Sequence, residues 1–183
     1  MSIHDEWMAR VREGRLFKLD FLIPGIQERR TVLMSPEINR LVTGPWNSVL
    51  MADRCARLRV DLESILGGER QSVCWTPFKG RTYHKIGRLD PPQDFMFDLR
   101  SVDEPGLRLL FHFAERDVLV AHLCSPRSVP VSWLHRVPLL DRGSKEWRIA
   151  IMESNAMWGK LFPDYRPHRG EHIDDLLSNA VIL

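Results

Sequence analysis

A chain of 183 residues suits one domain, and at 44% hydrophobic and 27% charged it can build a core and is not disordered by composition. Its net charge of +2 is too small to mark a nucleic-acid binder by itself, so any basic site must come from local clustering. No apolar run approaches a membrane span, residues 1–7 lack the apolar core of a signal peptide, and Cys55, Cys74 and Cys124 match no zinc-ligand spacing, which together predict a soluble, cytoplasmic protein in a reducing compartment.

In chain order, Ser2 caps a first helix, with Asp5 returning the bond from the third helical position. Ile3, Trp7, Met8 and Val11 form its apolar stripe and Gly14 ends it. Residues 16–23 read as extended, and Pro24-Gly25 breaks them. Ser35-Pro36 opens a short helix that Thr43-Gly44-Pro45 stops. A longer helix over 47–66 carries Met51, Cys55, Leu58, Leu62 and Ile65 at steps of four and three, and Gly67-Gly68 closes it.

From Gln71 the period shortens, and strands are predicted near 71–76, 82–89, 94–101, 106–114 and 117–124. The breaks at Pro91-Pro92, at 103–106 and at 114–117 are short, which predicts antiparallel neighbours. Residues 126–141 look irregular. Ser144 then caps a last long helix buried through Trp147, Ile151, Trp158, Leu161 and Phe162, and residues 173–177 add a short amphipathic turn. The expectation is one α+β domain over 1–183: a helical part (1–69), an antiparallel meander sheet (70–125), and a loop with a C-terminal helical part (126–183). Helix 47–66 should lie on the sheet and helix 145–162 near it.

The chemistry-bearing residues gather on the strands. Lys79, Arg81, Tyr83 and Lys85 share one parity, so on a strand they point to one face at steps of about 7 Å. A basic strand face with an aromatic in it suits an RNA backbone with stacked bases; a solvated strand face is the alternative. In the strand near 106–114, Leu107, Leu109, Phe111 and Phe113 share one face, Arg108 and His112 the other. An arginine on such a strand needs a carboxylate or an anionic ligand, and Asp98 and Asp117 are the available carboxylates. Trp133-Leu134-His135-Arg136 places an aromatic beside cationic residues, suited to stacking a base or anchoring a loop.

Other groupings are weaker. His168 and His172 stand four apart near Asp174 and Asp175, but Pro167 and Gly170 interrupt the helix that would align them for a metal. Ser125, Ser128 and Ser132 lie near His122 and His135 without a nucleophile elbow, and His122 reads as a core histidine. No metal and no cofactor is assigned.

The segments Phe95-Met96-Phe97-Asp98-Leu99-Arg100, Leu107-Arg108-Leu109-Leu110-Phe111-His112-Phe113 and Asp117-Val118-Leu119-Val120-Ala121-His122-Leu123 resemble the sheet of RelE/HigB-type toxins, a likeness spanning roughly residues 79–127. The resemblance implies a RelE-like α+β core and a metal-free endoribonuclease of a toxin–antitoxin system that cuts messenger RNA on the ribosome and pairs with a cognate antitoxin. It implies catalytic roles for Lys85, Arg100 and Arg108, with His112, on the strand face of Arg108, as a general acid or base. Guanidinium groups suit this chemistry because they clamp phosphate bidentately and do not titrate near neutrality. Lys79, Arg81, Tyr83, Arg127, Trp133 and His135 would contact RNA. Where many members carry a lysine pair after the last strand, this chain has only Arg127, which favours the alternative: a non-catalytic protein reusing the same sheet to bind a protein partner or nucleic acid.

Overall fold

A computed structural model of the chain describes residues 2–77, 84–101, 106–126, 128–130, 136–138 and 144–182, with side chains outside the description at 128–130 and 136–138. Four helices start at serine caps. In α1 (Ile3–Arg12), Ser2 Oγ accepts the Asp5 N–H while the Asp5 carboxylate accepts the Ser2 N–H, a reciprocal capping box as predicted. Ser35 caps α2 (Pro36–Thr43), Ser48 caps α3 (Val49–Leu66) and Ser144 caps α4 (Lys145–Leu161), each accepting a backbone N–H three residues on. Among the described residues, no helix is long and apolar enough to cross a membrane.

The strands are β1 (Phe17–Lys18), β2 (Thr31–Met34), β3 (Gln71–Cys74), β4 (Ile86–Arg88), β5 (Met96–Arg100), β6 (Leu107–Glu115), β7 (Val118–Pro126), β8 (Ser128–Pro130), β9 (Arg136–Pro138) and β10 (Ala180–Ile182). Eight of them form one sheet in the order β1-β2-β7-β6-β5-β4-β3-β10, and β8 pairs with β9 separately.

The α+β class is as expected, but the all-antiparallel sheet is corrected. The meander β4-β5-β6-β7 is antiparallel, because short turns join consecutive strands. Outside it, β2 runs parallel to β7, β3 to β4 and β10 to β3. Long connections reach these neighbours, so turn length places no limit on their direction. The helical assignment of 1–69 is likewise corrected, since β1 and β2 come from it. Residues 128–130 and 136–138 form a small antiparallel pair rather than irregular chain.

Helices cover both faces of the sheet. Phe97, Leu99, Leu109, Phe111, Phe113, Leu119 and Ala121 share one face and pack with Ile38 and Val42 of α2 and Leu58, Leu62 and Ile65 of α3. Three phenylalanines centre this core, with ring centroids 5.2–5.8 Å apart. Each fully buried phenylalanine contributes about 1.5–3 kcal/mol. The opposite face presents Met96, Leu110, Val118 and Val120 to Trp7 of α1 and to Trp147, Ile151, Trp158 and Leu161 of α4.

The β6–β7 hairpin turns through Arg116 and Asp117, with Asp117 in the left-handed region at φ 62°. Asp117 Oδ1 accepts the N–H and Oγ–H of Ser178 and lies 3.4 Å from Nε of Arg30. The buried Arg30 also donates to the carbonyls of Ile65 and Glu69, so one ion pair joins β2, α3, the hairpin turn and the C-terminal segment.

Candidate functional site

Alternation puts Asp98, Arg100, Arg108, Leu110 and His112 on the α4 face of the sheet. Arg100 and Arg108 sit directly across from one another on β5 and β6. Both turn to the fully buried carboxylate of Asp98: Arg100 Nε donates at 2.9 Å, and Arg108 Nη1 stands 3.4 Å away. The structural partner anticipated for Arg108 is thus Asp98 and not Asp117. The Arg108 guanidinium also lies over Trp147 of α4, 4.9 Å from the ring centre. Gly87, across from Asp98 on β4, leaves the room this needs. A Cβ there would stand 2.6 Å from Asp98 Oδ1, 2.8 Å from Arg100 Nη2 and 3.2 Å from His84 Nε2.

The remaining two residues of the anticipated catalytic set sit elsewhere. Lys85 reaches to α3, where its Nζ is 2.7 Å from Asp61 Oδ1. His112 is four residues from Arg108 along β6, about 13 Å. Its side chain is fully buried, and Nε2 donates to Asn155 Oδ1 at 3.2 Å while the Asn155 amide donates to Asp94. Burial drives the His112 pKa down to about 4, only partly opposed by the Asn155 bond.

His122 joins His112 because of a β-bulge. Leu110 pairs with Leu123 and Phe111 with Ala121, so His122 is the extra residue and stays on the α4 face. The two imidazole centroids are 5.1 Å apart, and Trp158 packs against both. Neither nitrogen of His122 has a hydrogen-bond partner, and burial together with neighbouring His112 holds its pKa well below the usual value. Both rings are therefore neutral at physiological pH.

Lys79, Arg81, Tyr83, Arg127, Trp133 and His135, the anticipated RNA contacts, lie outside the described residues. In the C-terminal segment His168 Nε2 meets the Asp175 carbonyl, and the Asp175 carboxylate accepts the N–H groups of Glu171 and His172, so these groups serve a turn.

A second polar grouping went unseen in the sequence. Trp75 follows β3, Arg88 ends β4 and Phe95 precedes β5, and the register brings these three points to one end of the sheet. The Arg88 Cζ is 4.4 Å from the Trp75 ring centre and 4.3 Å from that of Phe95. Arg169 approaches the same phenylalanine at 5.5 Å. Trp75 and Phe95 each stood at a sequence break and Arg88 in a basic run, but no spacing rule links them to Arg169.

Compared with known proteins, the chain matches no family model, no curated protein and no solved structure.

Proposed function

We propose that this chain is a non-catalytic RNA-binding protein, the alternative to the RelE-like endoribonuclease that its sequence resembles. One observation carries this reading: the groups that would have to act on a single phosphodiester are apart and occupied. A phosphate clamp at Arg100 and Arg108 is already spent on Asp98, Lys85 is spent on Asp61, and the would-be general base is sealed and neutral about 13 Å along β6. General acid–base work requires hydrogen-bond reach of the reacting proton, which a fully buried His112 lacks. The basic run 79–88 in the sequence supports RNA as the ligand class.

The test combines binding with transcript integrity. Purified protein should bind single-stranded RNA with an affinity that falls steeply with salt, because phosphate contacts release counterions. It should yield no cleavage products, and high-level expression in a bacterial host should leave messages intact. Metal-free RNA cleavage abolished by Arg108→Ala would overturn the proposal in favour of the ribonuclease. A stoichiometric, salt-insensitive protein complex without RNA affinity would overturn it in favour of a protein-binding role.

A further inference from the structure

The row Trp75–Arg88–Phe95–Arg169 combines three features that ordinary core packing does not require together. The first is an uncompensated cation. Arg88 is half-buried and donates through Nη2 to the Pro92 carbonyl at 2.7 Å, yet its buried Nε has no hydrogen-bond partner. Among the described residues, no carboxylate pairs with Arg88 or Arg169. Asp94, the nearest acid in sequence to Phe95, is engaged by Asn155. Burial alone lowers the Arg88 pKa, with no acid acting in the opposite direction. A guanidinium in that setting gains from an anion.

The second feature is ring surface. Trp75 and Phe95 are only partly buried, and Arg169, which meets Phe95, is exposed. The third is backbone strain. Phe95 has φ 50° and ψ 38°, a left-handed conformation that costs a bulky aromatic residue of order 1–3 kcal/mol and that glycine adopts freely. The chain tolerates it, and the result is a ring set against Arg88 at the end of the sheet, where the segment after α4 also passes: His168 N–H donates to the Phe113 carbonyl at 2.7 Å and delivers Arg169.

We propose that this row is a stacking site for single-stranded RNA, in which a base lies against Phe95 beside Arg169 while the two guanidinium groups neutralise the flanking phosphates. The inference rests on the reading of the chain as an RNA-binding protein and names where the strand sits. Aromatic–base stacking tolerates any sequence, because every base has a π face, so oligouridylate and oligoadenylate should both bind.

Fluorescence anisotropy with labelled oligouridylate and oligoadenylate tests the site. Phe95→Gly removes the ring while accepting the positive φ without strain, and should weaken binding about tenfold. Arg169→Ala, an exposed change that spares the fold, should weaken binding and reduce the slope of log affinity against log salt by about one. Arg169→Lys should keep that slope and lose part of the affinity. If the wild-type protein binds both oligonucleotides and Phe95→Gly and Arg169→Ala bind them equally well, the site is refuted while the RNA-binding reading stands. If the wild-type protein binds neither, that reading fails and the site with it.

Discussion

Acid should destabilise this protein through His112, and the size of the effect follows from its surroundings. In the unfolded chain the imidazole titrates near 6.5, whereas in the folded protein burial holds its pKa at about 4. Between these values the unfolded state takes up a proton that the native state refuses. Stability therefore falls as pH drops through 6.5, and the loss is complete below about 4. The full difference is worth about 3 kcal/mol, of which about 2 kcal/mol is lost between pH 7 and pH 5. His122 adds to the loss with the same sign, since its pKa is lowered as well. The assay is urea unfolding at pH 7 and pH 5, followed by the fluorescence of Trp158, which packs against both rings. His112→Gln, which does not titrate, isolates the contribution: its stability should fall by about 2 kcal/mol less than wild type over the same interval. Equal pH dependence in the two proteins would show that His112 is not held neutral in the fold.

Two further changes probe the cluster on the α4 face. Asp98→Asn keeps the shape but removes the charge that Arg100 and Arg108 share, and should cost about 3 kcal/mol or more in chemical denaturation; a loss below about 1 kcal/mol would mean that the pairing contributes little. Gly87→Ala drives a methyl to 2.6 Å from Asp98 Oδ1 and should cost about 2 kcal/mol, whereas an unchanged denaturation midpoint would mean that β4 and β5 shift apart freely there.

The local elements were legible because their determinants lie within a few residues. Ser2 with Asp5, Ser35 and Ser144 each satisfy N–H groups one turn away, and the stripe through Cys55, Leu58, Leu62 and Ile65 needs only the helical period. Alternation along β6 likewise put Arg108 and His112 on one face and the phenylalanines on the other, as the structure has them. Partners remote in sequence were not legible. Thr31–Met34 lacks bounding turn signals and becomes a strand only because Val118–Ala121 lies alongside it, and Ala180–Ile182 depends in the same way on Gln71–Val73.

The candidate site divides along the same line. Asp98 was visible as a partner for Arg108, but only tertiary structure decided that it would serve Arg100 as well. Only packing of α4 decided that His112 would be sealed, through Trp158 and Asn155. The row of Trp75, Arg88, Phe95 and Arg169 draws on the ends of three strands and a segment beyond the last helix. Capping and periodicity act through the covalent neighbourhood, which the sequence displays directly. Charge compensation, burial and stacking act through space, and which residues meet there is settled when the sheet closes.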